Sequence, residues 1–258
     1  MSIKDRAFNY GDGLFETIYV KNNKPLFLDA HIKRLNIGCD KLSIPIISRT
    51  LLKDTIKKSI LKSKECIVKI IYSRGLSEHG YQFGQDITPQ LYVFKKNINK
   101  RKKNKFVSLG YSKYLLKDNL YLSKIKHLNR IEQILGLTKK GVPSYDTYIM
   151  LDSHKKIIEC ISSNIFFYNY KINTFNFVTP SLDTCGVEGI MKQQIIKYLK
   201  SRKIKIFEKG VSKKDIIKFD GCFICNVVNG VQFVKKIEEK SINHIFEIES
   251  LLKKYIYE

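Results

Sequence analysis

Tryptophan is absent from the 258 residues, proline occurs only five times, and the 24 acidic residues are outnumbered by 47 lysines and arginines. There is no run of about eighteen apolar residues of the kind that spans a bilayer. The opening Met1-Ser-Ile-Lys-Asp-Arg lacks the apolar core of a secretory signal. These absences predict a soluble cytoplasmic protein with no membrane partner. The six cysteines, at 39, 66, 160, 185, 222 and 225, are therefore expected to be reduced. Only Cys222-Phe-Ile-Cys225 has metal-like spacing, and no second Cys or His pair matches it, so a buried strand is the expected reading.

The net charge of +23 raises a nucleic-acid or membrane-surface reading. The lysines, however, are spread along the whole chain. The densest run, at positions 95–105, interleaves no aromatic that could stack a base. It reads as a solvated linker, and abundant Lys, Ile and Asn without Trp is the composition of an AT-biased coding sequence. No specific nucleic-acid partner is expected.

The linker separates two patterned halves, 1–105 and 106–258. The first opens with a hairpin over 14–28 turning at Lys21-Asn-Asn-Lys24. Asp29 is then placed to cap a helix with the stripe Ile32, Leu35, Cys39 and Leu42. A helix near 48–62 and strands at 66–72 and 90–94 follow. The second half reads as a strand from Phe106, strands near 147–151 and 157–168, a helix at 189–200, a strand at 222–227 and a closing helix at 242–256. Strands and helices in both halves make an α+β protein of two domains.

Lys126 draws attention because the apolar residues Leu128, Ile131, Ile134 and Leu135 recur after it at helical spacing. That pattern predicts a helix entrance, where the dipole and any neighbouring cation favour a neutral, nucleophilic amine. The segment Lys124-Ile-Lys-His-Leu-Asn-Arg-Ile-Glu-Gln133 resembles the Schiff-base lysine segment of the fold-type-IV pyridoxal-phosphate enzymes, in particular their aminodeoxychorismate lyase branch. Tyr10-Gly-Asp-Gly-Leu-Phe-Glu-Thr17, His31-Ile-Lys-Arg-Leu35, Ile158-Glu-Cys-Ile-Ser-Ser-Asn-Ile-Phe166, Gly186-Val-Glu-Gly-Ile-Met191 and Ile224-Cys-Asn226 are similar to further motifs of that group, in its order and over nearly the whole chain.

The resemblance implies a small amino-terminal α/β domain, a larger carboxy-terminal domain with a pseudo-barrel, a homodimer, and pyridoxal 5'-phosphate as cofactor. It implies Lys126 as the cofactor lysine and general base and Glu159 as the acid facing the pyridine nitrogen. A small-molecule substrate, 4-amino-4-deoxychorismate, would be converted to 4-aminobenzoate and pyruvate. An aminotransferase of the same fold, acting on D- or branched-chain amino acids, is the alternative.

Residue chemistry gives each role a reason. An inward carboxylate in the apolar strand around Glu159 needs a cation such as a pyridinium. Glycines before the helix at 189–200 let the Ile190 and Met191 amides approach a phosphate, with Arg34 as its charged partner and Asn226 within reach of the same group. By the same resemblance, Thr17 is similar in position to a threonine proposed to assist proton delivery to the leaving group. The chain departs from the family pattern in four places, one of them Phe233 before Val234 where proline is usual. The strand that usually opens the fold is expected to be missing or shortened, Lys124 stands where a small residue is common, and His79 stands where family members often carry an arginine after Ser73-Arg-Gly75. Arg74 and His79 are the candidates for binding the substrate carboxylates.

Overall fold

The computed structural model describes residues 2–60, 65–78, 80–98, 104–137 and 144–257. They fall into two compact units, Met1–Arg101 with Ile125–Arg130, and Lys102–Lys124 with Ile131–Glu258. The expected boundary at 105/106 left Lys126 with the second half. The contacts instead place 125–130 with the first unit, because that segment hydrogen-bonds to its first strand.

The first unit contains α1 (Arg6–Tyr10), β1 (Gly13–Lys21), β2 (Lys24–Pro25), α2 (Leu28–Lys41), α3 (Arg49–Ile60), β3 (Glu65–Ser73) and β4 (Gln90–Asn97). Its antiparallel sheet runs β2-β1-β3-β4. Asn22 and Asn23 both take left-handed backbone (φ 51° and 58°), which suits a tight hairpin following the strand twist. One face of β1 carries Leu14, Glu16, Ile18 and Val20, all buried, and α2 packs against this strand through Ile32, Leu35 and Cys39.

Three expectations change here. Leu28 opens α2 instead of ending a strand, and the N-cap is Phe27, not Asp29. Asp29 lies in the first turn, where Arg49 and Lys53 of α3 hold its carboxylate at 2.8 and 2.9 Å. Lys95, Lys96 and Asn97 belong to β4, paired with Val68, Ile67 and Cys66, so the basic run is part strand. Residues 99–103 of that run lie outside the described residues.

The second unit contains β5 (Phe106–Leu116), α4 (Ile131–Gly136), β6 (Thr147–Asp152), β7 (Lys156–Cys160), β8 (Asn164–Lys171), β9 (Thr174–Thr179), α5 (Ile190–Ser201), β10 (Lys205–Glu208), β11 (Val211–Ser212), β12 (Gly221–Asn226), β13 (Gly230–Ile237), β14 (Lys240–Ser241) and α6 (Glu247–Leu252). Its ten-stranded sheet runs β10-β9-β8-β12-β13-β5-β6-β7-β11, with β14 on β13. Val107, Leu109, Ile149, Leu151, Ile165 and Phe167 form its core with Cys222 and Ile224. The strand expected over 157–168 is two strands folded back at 161–163, and the closing helix shortens to α6 and a 3-10 turn, Lys253–Tyr255. Cys222 and Cys225 are buried in β12 as free thiols. No helix among the described residues is long and apolar enough to cross a membrane.

Candidate functional site

Lys126 does not stand at a helix entrance. α4 begins only at Ile131, and residues 126–128 run beside β1: Phe15 N donates to Lys126 O at 3.0 Å, Leu128 N donates to Gly13 O at 3.0 Å, and Leu14 bridges His127. This pairing lets the segment satisfy its backbone groups without helix, which overrides the helical spacing of its apolar residues. Gly13 is required there, since a Cβ would lie 2.6 Å from Tyr72 O. Ile131 and Ile134, two of the residues at helical spacing, are each 59% exposed.

The Lys126 side chain lies on the Phe15 face of β1, with Nζ 4.3 Å from the ring centroid. Strand alternation puts Thr17 on that same face, so the structure brings Lys126 and Thr17 to one side of one sheet. Arg130 pins the loop by donating to Ile125 O at 3.1 Å and His127 O at 2.9 Å, and Asn129 Nδ2 donates to Gly11 O at 3.2 Å. Burial, with the Arg130 and Lys126 charges added, pushes His127 down to about 3. Its imidazole is therefore neutral at any working pH.

Arg34 sits on α2 three residues after His31, and both reach Glu16 on the α2-facing side of β1. Arg34 Nε donates to Glu16 Oε1 at 2.7 Å and its Nη2 to Oε2 at 2.6 Å, while His31 Nδ1 lies 2.6 Å from Oε2. Glu16 is 1% exposed. Burial alone would raise its carboxyl, yet the Arg34 and His31 charges and hydrogen bonds outweigh it and hold the group near 2. Glu16 thus fixes Arg34 in direction. It escaped the sequence reading, although a carboxylate in phase with buried Leu14, Ile18 and Val20, and a His-x-x-Arg pair on one helix face, were signals for it.

In the second unit Glu159 is buried on β7, 5% exposed. Register with β6 shifts at this point: Leu151 pairs with Ile157 and Met150 with Glu159, leaving Ile158 as an extra residue. A bulge of this kind re-aims side chains. It directs Glu159 to the face of Met150, and Oε2 there accepts a hydrogen bond from Val187 N at 3.0 Å. Gly186, the residue before, has φ +90° and passes so close that a Cβ would meet Ile158 at 2.7 Å and Leu182 at 2.8 Å.

The loop 186–189 leads directly into α5. Lys124 bridges Val187, with Lys124 N donating to Gly186 O at 2.9 Å and Glu188 N to Lys124 O at 3.1 Å. No side chain caps the start of α5 at Gly189, and the buried Ile190 and Met191 open its first turn. Their N–H groups have no partner within the helix, so they and the dipole make an anion cradle. The structure therefore ties Glu159, through the Val187 amide, to the short loop that leads into Ile190 and Met191 at the start of α5.

Two expected residues are committed elsewhere. Arg74 is buried, with Nε and Nη2 on Asp12 at 2.8 and 3.1 Å, further donations to Ser43 O and Leu42 O, and Phe83 stacked 4.2 Å away. It clamps the first unit and is not open to a substrate carboxylate. Asn226 donates to Ser162 O and Ser163 Oγ while its Oδ1 accepts from Val228 N and Asn229 N. The Asn226 side chain thus orders the turn between β12 and β13. His79 lies outside the described residues.

Residues 13–237 match the family model for amino-transferase class IV. The chain belongs to that family. Its enzymes are pyridoxal-phosphate dependent, and the fold is that of the fold-type-IV enzymes. The chain is 28% identical to an aminodeoxychorismate lyase of Vibrio harveyi over 90% of its own length and 86% of that protein's. It is 24% identical to a D-alanine aminotransferase of Bacillus licheniformis, covering 94% and 84%. Among solved structures, 4-amino-4-deoxychorismate lyase from Pseudomonas aeruginosa superposes with a TM-score of 0.87 at 26% identity, covering 98% of this chain and 93% of that one. The class IV cofactor fits the residues present: an uncapped helix start for its phosphate, a buried carboxylate for its ring nitrogen, and a glycine that lets the backbone approach closely.

Proposed function

We propose that this class IV enzyme is an aminodeoxychorismate lyase, converting 4-amino-4-deoxychorismate to 4-aminobenzoate and pyruvate, a step toward folate. The observation that carries the reading is the Lys126 segment. His127, Asn129 and Arg130, part of the run that favours the lyase branch, here shape and pin the loop that presents the lysine. Likeness to lyases from Vibrio harveyi and Pseudomonas aeruginosa supports the same reading.

Each residue then has a task. Lys126 Nζ would attach the cofactor and, once released by the substrate amine, would take the proton from the ring carbon that bears that amine. Bound pyridoxal phosphate supplies a sink for the electron pair left behind. The carbon–oxygen bond to the enolpyruvyl group breaks, and aromatisation drives the step. The Thr17 hydroxyl, on the Lys126 face of β1, delivers a proton toward the departing group. Glu159 holds the ring nitrogen protonated, the Ile190 and Met191 amides bind the phosphate, and Arg34, oriented by Glu16, adds its charge. A homodimer belongs to the same proposal, with the exposed Ile131, Ile134, Leu135 and Leu137 as an apolar face for a second copy.

A D-alanine or branched-chain aminotransferase would share Lys126 and Glu159 and differ in the substrate half of the site. Borohydride reduction of the cofactor-loaded protein followed by peptide mapping tests the first step, with the label expected on Lys126. A panel of D- and L-amino acids with 2-oxoglutarate tests the alternative, and sustained amino transfer would move the chain to that branch.

A further inference from the structure

Asn164 is the first residue of β8, placed there by the tight return in which Cys160 N donates to Ser163 O at 2.7 Å. It is buried, where an amide is costly unless its hydrogen bonds are made. Nδ2 donates to Val187 O at 3.0 Å and lies 3.4 Å from Glu159 Oε2, the same oxygen that accepts from Val187 N. The three groups close a ring of hydrogen bonds. The opposite amide orientation would set Oδ1 against two oxygens, so the chemistry fixes the assignment.

The other end of the amide meets Gly189. A Cβ on that glycine would lie 1.9 Å from Asn164 Oδ1, and its next neighbours, Asn164 Cγ at 3.1 Å and Lys192 Cβ at 3.7 Å, are much less confining. Gly189 has φ −68° and ψ 136°, a conformation open to any residue. Its lack of a side chain is therefore set by Asn164, not by the backbone. One amide thus touches the loop at Val187, beside Glu159, and at Gly189, the start of α5.

We infer that Asn164 is a positioning residue that fixes the spacing between the Glu159 carboxylate and the amides opening α5, and so sets how the ring nitrogen and phosphate of the cofactor are held together. The inference rests on the cofactor roles proposed above. Removing the amide frees the loop at both ends. Adding a methyl at Gly189 displaces the amide and has the same consequence.

The experiment compares wild type, Asn164→Ala, Asn164→Asp, Gly189→Ala and the double variant Asn164→Ala/Gly189→Ala. It measures hydrogen exchange of the 187–191 amides without cofactor and the dissociation constant for pyridoxal phosphate. Each single variant is expected to speed exchange in the loop and weaken the cofactor about 10- to 100-fold, the usual range for groups that support a bound cofactor or metal from behind. The double variant should bind no more weakly than Asn164→Ala alone, because the methyl then enters vacated space.

Asn164→Asp keeps the shape and so tests the idea even where Asn164→Ala does not fold. Its added negative charge should move the pH midpoint of the bound cofactor's absorbance upward. Losses that multiply in the double variant, or unchanged loop exchange with a wild-type midpoint in Asn164→Asp, overturn the inference while leaving the cofactor reading intact. Altered loop exchange in a protein whose wild type takes up no pyridoxal phosphate overturns the cofactor reading instead.

Discussion

Arg130 brackets Lys126: its guanidinium donates to the carbonyls immediately before and after the lysine, Ile125 O at 3.1 Å and His127 O at 2.9 Å. The planar fork reaches both acceptors at once, a geometry that an ammonium does not reproduce. Arg130→Met should therefore slow covalent attachment of the cofactor about 10- to 100-fold, and Arg130→Lys should restore little of it. Stopped-flow absorbance on mixing apoprotein with pyridoxal phosphate reads the rate. Wild-type attachment in Arg130→Met would show that the bracket is decorative.

Glu159 owes its burial to the bulge at Ile158 and its orientation to the Val187 amide. Glu159→Gln keeps an oxygen that can accept from that amide, so the fold and cofactor binding should persist. Turnover should drop by orders of magnitude because the ring nitrogen loses its acid. Circular dichroism, cofactor content and initial rates measured on one preparation separate these effects. Full activity in the variant would show that the carboxylate serves another purpose.

Stability should fall in acid through two groups in the first unit. His127 is pushed from an ordinary 6.5 down to about 3, and Glu16 from 4.5 to about 2. Both folded values lie below the ordinary ones, so the unfolded chain binds more protons, and the stability is complete above the ordinary value. His127's share is lost as pH falls from 6.5 toward 3, and that of Glu16 from 4.5 toward 2. Each costs up to about 1.4 kcal/mol per pH unit within its window. Denaturation midpoints for His127→Asn should be flatter than wild type between pH 6.5 and 5, and an unchanged slope would remove His127 from the account.

The Arg74–Asp12 pair is structural. Arg74→Met leaves Asp12, which also takes a bond from Arg6 Nε at 2.8 Å, with one of its two guanidinium partners. Breaking a fully buried pair costs about 3–5 kcal/mol, and this part-buried one, with Arg6 still on Asp12, should cost less. Urea unfolding should show that loss, while the KM of the surviving folded enzyme stays near wild type. A large rise in KM without destabilisation would return Arg74 to substrate binding.

The ordered motifs that point to Lys126, Glu159 and the Gly186–Met191 loop were legible because their chemistry is local in sequence. The setting of Lys126 was not. Leu128, Ile131, Ile134 and Leu135 carry a helical period, but residues 126–128 pair with β1 more than a hundred positions earlier, and no local pattern announces that. The aim of Glu159 likewise depends on one unpaired residue in a ladder between two strands. Arg74 and Asn226 were read by residue type, and the partners that hold their side chains are brought in by tertiary folding. Glu16 could have been found, since a buried-phase carboxylate opposite a His-x-x-Arg helix face requires compensation.

The most direct measurement supplies 4-amino-4-deoxychorismate to the cofactor-loaded protein with no keto acid present and follows 4-aminobenzoate and pyruvate. A lyase restores the Lys126 linkage at each turnover and needs no amino acceptor. The account therefore predicts many equivalents of both products per enzyme. A single equivalent or none, together with sustained amino transfer once 2-oxoglutarate and an amino acid are added, would contradict it.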